Sequence, residues 1–114
     1  MSWRAPLTYG YAAPEQYDSS MRDMIDIRTD LFSLGVTVYT LLRGRNPFVR
    51  EGMNEYDVMV TTRQYHATTL QIPNDANNGL AKFLKLLMNK DLGARPRTAK
   101  RALEWFGRFV GLET

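Results

Sequence analysis

The sequence predicts an all-α domain, an irregular leader followed by about four helices. Three observations carry this. Leu80, Phe83, Leu84 and Leu87 recur at i, i+3, i+4 and i+7, the spacing of a helix with one buried face. The run from Leu31 to Leu42 is apolar on nearly every side and about twelve residues long, more than an ordinary strand, and it stops at Gly44 and Pro47. No stretch alternates apolar and polar residues as a half-buried strand does, and no segment repeats another.

Residues 1–28 have few periodic apolar positions and contain Pro6, Gly10, Pro14 and Asp18-Ser19-Ser20, so they read as loop with at most a short helical turn. In the next segment, Val36, Thr37, Val38, Tyr39 and Thr40 all favour strands by propensity. Length, the capping residues Thr29 and Asp30, and the Gly/Pro stop favour a helix that forms the centre of the core. A second helix starts at Asn54, a side chain able to cap it, with Asp57 in its first turn; it runs through Tyr56, Met59, Val60 and Arg63 towards Tyr65. The third spans Leu80 to Met88, after a polar connection through Pro73 and Asn74-Asp75-Ala76-Asn77-Asn78. The last starts on Thr98 as N-cap, places Ala99, Ala102, Leu103 and Phe106 on one face, and ends at Phe109 or Val110, with Trp105 off that stripe.

At 114 residues the chain has room for one core and one domain. With 44% apolar and 24% charged residues it has a globular composition, which argues against disorder. The net charge is +3 and the isoelectric point about 9.4, with every lysine in the last third near Arg95, Arg97, Arg101 and Arg108. That could serve nucleic acid, but no binding motif accompanies it, and a solvated helix face explains it as well. There is no cysteine, and one histidine, His66, cannot hold zinc alone. The N-terminus lacks a signal-peptide core and no apolar run is long enough to span a bilayer, so the reading is a soluble, cytoplasmic chain.

Three stretches carry a more specific message. Thr8-Tyr9-Gly10-Tyr11-Ala12-Ala13-Pro14-Glu15-Gln16 resembles the end of a protein kinase activation segment, in which a threonine, a Gly-Tyr pair and Ala-Pro-Glu occur in this order. Asp30-Leu31-Phe32-Ser33-Leu34-Gly35-Val36, with Tyr39, Leu42, Gly44, Arg45, Pro47 and Phe48 after it, looks like the central helix of the kinase large lobe and its closing turn. Asn89-Lys90-Asp91 through Gly93-Ala94-Arg95-Pro96-Arg97-Thr98-Ala99 looks like the junction before that lobe's final helix. The chain thus resembles the C-terminal part of the large lobe of a eukaryotic-like serine/threonine protein kinase, as one partial domain with residues 1–28 closing the activation segment and 29–114 helical.

The resemblance implies roles for particular residues. Glu15 pairs with Arg95, fastening the leader to the last helices; if the pair is buried, removing one partner costs about 3 to 5 kcal/mol by stranding the other charge. Thr8 and Tyr11 face the substrate. Asp30 matches an aspartate that accepts hydrogen bonds from the catalytic loop; with that loop missing, it reads as a carboxylate at the start of the core helix, favoured by the helix dipole.

Phosphoryl transfer also needs a Gly-rich loop, a phosphate-positioning lysine, a catalytic aspartate and metal-holding Asp and Asn residues. None is recognisable in the 114 residues, a pattern that reads as truncation. The expectation is a non-catalytic fragment with no cofactor of its own, ATP and Mg belonging to an intact parent kinase. Its core helix, deprived of cover, would associate as a homo-oligomer. The alternative is a stand-alone helical interaction or regulatory module that docks a protein partner through the helix from Asn54 to Tyr65. Neither a membrane nor a nucleic acid is expected as a partner.

Overall fold

Local side-chain chemistry sets the helix ends in the computed structural model, which describes residues 9–64 and 70–111. Four α-helices follow one another: α1 (Ile27–Arg43), α2 (Glu55–Gln64), α3 (Gly79–Leu87) and α4 (Ala99–Val110). Short 3-10 turns at Pro14–Tyr17, Ser19–Met24, Ala76–Asn78 and Leu92–Ala94 join them. Among the described residues there is no strand. The chain is all-α.

The core helix starts earlier than its pattern suggests, which corrects the placement of its start at Asp30. Asp26 is the N-cap, accepting from the Arg28 amide at 2.8 Å, and Asp30 lies inside the first turn. Thr29 does not cap because its hydroxyl is bonded to Glu15. The far end closes on Gly44, in a left-handed conformation, whose N–H donates to the Thr40 carbonyl at 2.8 Å. Helix therefore wins over the strand propensity of residues 36–40, a case of tertiary packing overriding a weak local preference.

α2 is capped reciprocally: the Asp57 amide donates to Asn54 Oδ1 at 2.8 Å and the Asn54 amide to Asp57 Oδ2 at 3.2 Å. Asp75 serves α3 from four residues upstream of Gly79, with one carboxylate oxygen taking the Leu80 amide and the other the Ala81 amide, both at 2.8 Å. Asn77 and Asn78, at φ 57° and 56°, make the left-handed step into this helix that asparagine tolerates better than most residues. Thr98 caps α4 by accepting from the Arg101 amide at 3.0 Å.

The core forms where α1 and α4 both pack on α3. Phe32, Val36 and Tyr39 of α1 meet Phe83, Leu84 and Leu87 of α3, with Met88, Phe48, Ala13 and Ala102 completing the cluster. Phe32 and Phe48 stack with centroids 5.6 Å apart, while Phe83 and Phe106 meet edge to face at 5.3 Å. Two glycines permit the close approaches. A Cβ on Gly35 would lie 3.0 Å from Leu87 Cβ and Met88 Cγ, and one on Gly79 would lie 2.0 Å from the Phe109 carbonyl oxygen. On α4 the stripe is rotated from the one read in the sequence: Trp105 and Phe106 pack on the core, whereas Leu103 is 70% exposed.

α2 stands apart from this core. It buries only Val58 and Thr62 and leans on the Pro14–Tyr17 turn. The extents of 50 × 32 × 19 Å are those of a slab, its short dimension about two helix diameters. Much of α1 therefore faces outward, with Leu34, Leu41 and Leu42 exposed.

Candidate functional site

The leader is held against the helices by polar groups at both its ends. At its start, Asn46 Nδ2 donates to the Gly10 carbonyl at 3.0 Å and Ser33 Oγ to the Tyr11 carbonyl at 2.8 Å. At Pro14–Tyr17 the chain closes a 3-10 turn on itself, the Ala13 amide donating to Gln16 Oε1 at 2.8 Å. Proline in the first turn suits this, since its missing N–H would have had no partner there.

Glu15 comes out of that turn pointing inward and meets Arg95 in the interior. Nη1 donates to Oε2 at 2.6 Å and Nη2 to Oε1 at 2.9 Å, a two-pronged pair with both residues 2% exposed. Thr29 Oγ1 adds a third bond to Oε2 at 2.7 Å. The guanidinium is occupied on its other edges too: Nε donates to the Asn89 carbonyl at 2.8 Å, Nη1 to the Arg28 carbonyl at 3.2 Å, and its carbon lies 4.9 Å from the Phe32 ring centre. A lysine could not make this set, because it lacks the planar fork and the stacking face.

The electrostatics follow from this burial. Loss of water, the largest single influence on Glu15, favours its neutral acid, but the bonds from Arg95 and Thr29 and the arginine's charge outweigh it and hold the carboxyl below its ordinary 4.5. Burial pushes the Tyr17 phenol, in the same turn, up from its ordinary 10.0. Tyr17 also packs against Tyr9, ring centres 5.4 Å apart.

The structure brings Glu15 and Arg95 together and places Tyr11 half-buried beside α1, its carbonyl on Ser33. Thr8 lies outside the described residues, as do His66 and Tyr65. Asp30 is exposed in the first turn of α1, away from the pair. Sequence reasoning missed Thr29, Ser33 and Asn46 as leader anchors. A signal existed for two of them: Thr29 and Ser33 are hydroxyl residues spaced i, i+4 in the first half of α1, so they share one face. Asn46 had none, because its partner is a backbone carbonyl 36 positions away.

Two clefts flank the site. One of about 300 Å³ is lined by Pro14, Glu15, Asp18, Met21, Arg63, Lys90 and Asp91, and one of about 450 Å³ by Arg95, Pro96, Arg97, Thr98, Arg101 and Trp105 among others. Among the described residues no group of three or more His, Cys, Asp or Glu side chains could hold a metal ion, and no helix is long and apolar enough to cross a membrane. The arrangement is an anchor: it fixes the path of residues 9–17 relative to α1 and to the turn before α4.

Comparison with known proteins places this anchor in a family. The model of the protein kinase domain matches residues 3–106. The chain is 29% identical over 90 residues to a dual specificity mitogen-activated protein kinase kinase, jkk-1, of Caenorhabditis elegans, covering 75% of this chain and 20% of that protein. It is 32% identical over 90 residues to the MAP kinase kinase mkk-4 of the same organism, covering 76% and 24%. It is 34% identical over 89 residues to the serine/threonine-protein kinase ppk16 of Schizosaccharomyces pombe, covering 78% and 12%. No solved structure matches significantly. The chain thus spans a quarter or less of each of these kinases. With the family model matched over nearly all its length, and the Ala-Pro-Glu turn locked to the Arg-Pro turn, this chain belongs to the protein kinase domain family.

Proposed function

We propose that these 114 residues are the anchoring part of a protein kinase large lobe, and that alone they bind no ATP and transfer no phosphate. The observation that carries this reading is the buried Glu15–Arg95 pair, which holds the segment from Tyr9 to Tyr17 in one conformation on α1. In a kinase that segment leads from the activation segment to the helical platform, so a fixed path here is what presenting a substrate requires. Thr8 and Tyr11 are the residues assigned to that substrate-facing edge. ATP and Mg act in the intact parent kinase, where a Gly-rich loop, a lysine and metal-holding acids position the phosphates. The catalytic roles of those parts have no counterpart in the anchor, whose buried charges are already saturated by each other.

Titration calorimetry of the purified chain with Mg-ATP tests the proposal, alongside a phosphotransfer assay on a generic protein substrate. The expected result is no saturable heat and no labelled product. Saturable binding of Mg-ATP would overturn it.

A further inference from the structure

The step into α3 sets a side-chain amide next to a backbone nitrogen that can attack it. Asn78 is followed by Gly79, and glycine, with no Cβ, leaves its nitrogen free to approach the preceding side chain. The other asparagines lack such a neighbour: Asn46 precedes a proline, which has no N–H, and Asn54, Asn74, Asn77 and Asn89 precede residues with side chains. The fold requires both members of the pair. Asn78 sits at φ 56°, a left-handed conformation that asparagine tolerates better than most residues. Gly79 is buried against α4, where a Cβ would run into the Phe109 carbonyl.

The same turn holds the reacting groups apart. At ψ 30° the Gly79 nitrogen lies nearly anti to Asn78 Cβ, whereas closing a five-membered ring needs the two eclipsed. The Gly79 N–H is also engaged, donating to the Ala76 carbonyl. Asp75 clasps this arrangement from both sides: its carboxylate takes the Leu80 and Ala81 amides at 2.8 Å each, and its carbonyl takes the Asn78 amide at 3.1 Å. The Asn78 side chain makes no capping bond, so opening the turn is the step that frees it to react.

We propose that Asn78-Gly79 is a self-modification site, gated by the Asp75 clasp, which turns a transient opening of the first turn of α3 into a permanent change of the chain. Once the turn opens, base in the solvent takes the Gly79 amide proton and the nitrogen attacks Asn78 Cγ. The new C–N bond closes a succinimide while the Cγ–Nδ2 bond breaks, and Nδ2 leaves as ammonia with a proton from water. Water then opens the ring. Cleavage between the Gly79 nitrogen and Cγ leaves aspartate; cleavage between that nitrogen and the Asn78 backbone carbonyl leaves isoaspartate, its chain running through Cβ and Cγ. The sum is one water consumed and one ammonia released, with nothing oxidised or reduced. Aspartate keeps the turn and adds a negative charge at the positive end of α3. Isoaspartate lengthens the backbone by one carbon between the clasp and Gly79, which breaks the close contact with Phe109. This chemistry needs only residues 75–81 and Phe109, and it is independent of the kinase reading.

Incubation of the purified chain in mildly alkaline buffer, with peptide mapping by mass spectrometry at intervals, tests the site and its gate separately. In chain unfolded by guanidinium, Asn78 is converted roughly tenfold or more faster than Asn77 or Asn89, because glycine alone leaves the nitrogen unhindered. In the folded chain the rate at Asn78 falls by roughly tenfold or more, since only the open turn reacts. Asp75→Ala recovers about tenfold of that rate with helicity retained by circular dichroism, and Asp75→Asn, which keeps one acceptor oxygen, falls between. Asp57→Ala, which loosens the cap of α2 instead, leaves the rate at Asn78 unchanged. Equal rates at Asn78 and Asn77 in the unfolded chain overturn the site. Equal rates at Asn78 in folded and unfolded chain, or a rate in both Asp75 variants no higher than in the original chain, overturn the gate.

Discussion

Two ion pairs in this molecule use the same chemistry and nearly the same distances, yet they differ in everything that gives a pair its weight. Arg95–Glu15 closes at 2.6 Å with side chains 0% and 1% exposed, across 80 residues of sequence. Arg28–Asp26 closes at 2.8 Å with side chains 13% and 44% exposed, across two residues. The first is out of water, so each charge depends on the other and on Thr29 and the Asn89 and Arg28 carbonyls. The second sits at a helix start, where water competes for both partners and Asp26 matters more as a cap than as an anion. Bond length says nothing of this; burial says most of it.

The largest effect that would sharpen the contrast is loss of one buried partner. Arg95→Met or Glu15→Gln destabilises the chain by about 3 to 5 kcal/mol, because the remaining charge or polar group keeps its burial without its bonds. Chemical denaturation with circular dichroism measures it, and a loss no larger than that of a surface pair would erase the distinction. The double variant Glu15→Leu/Arg95→Met recovers most of the loss, since an apolar pair of similar volume carries no desolvation penalty.

Acid is the next lever. Glu15 is held below its ordinary 4.5 in the folded chain, so its stabilising contribution is complete above that value and is lost as pH falls through the folded one. Asp26, also lowered chiefly by its bonds from Arg28, titrates in the same direction but from an exposed position. The acid unfolding midpoint therefore moves to lower pH in the Glu15→Leu/Arg95→Met chain and hardly at all in Asp26→Asn.

Asp26→Ala comes third, at about 1 kcal/mol for a lost N-cap, while Asp26→Asn, which can still cap, costs little. Asn54→Ala behaves similarly at α2, read as loss of helicity in that helix by hydrogen exchange. Smallest is Glu104→Gln, which removes the exposed Arg101–Glu104 contact at 3.7 Å and shifts stability by only ~0.3 kcal/mol.

The helix ends show how far local pattern reaches. Asn54 with Asp57, and Thr98 with the Arg101 amide, are contacts over three residues, and both caps were readable from spacing alone. The α1 start was not, because Thr29, a good capping residue by type, gives its hydroxyl to Glu15 14 positions away, and Asp26 caps instead. The same limit appears on α4. Leu103 fits the apolar stripe as well as Trp105 does in sequence, and only the position of α3 against Phe106 decides which one faces inward.

The sequence by itself determined the helical class, two of the four helix caps (Asn54 and Thr98) and, through its resemblance to a family, the partnership of Glu15 and Arg95. Those are consequences of periodicity, of short-range hydrogen bonding and of a motif long enough to be specific. Tertiary structure alone decided that the pair is dry, that Thr29, Ser33 and Asn46 hold the leader, and that one side of α1 stays in water. The reason is physical: burial and long-range hydrogen bonds depend on which surfaces meet, and no local pattern records where a chain folds back on itself.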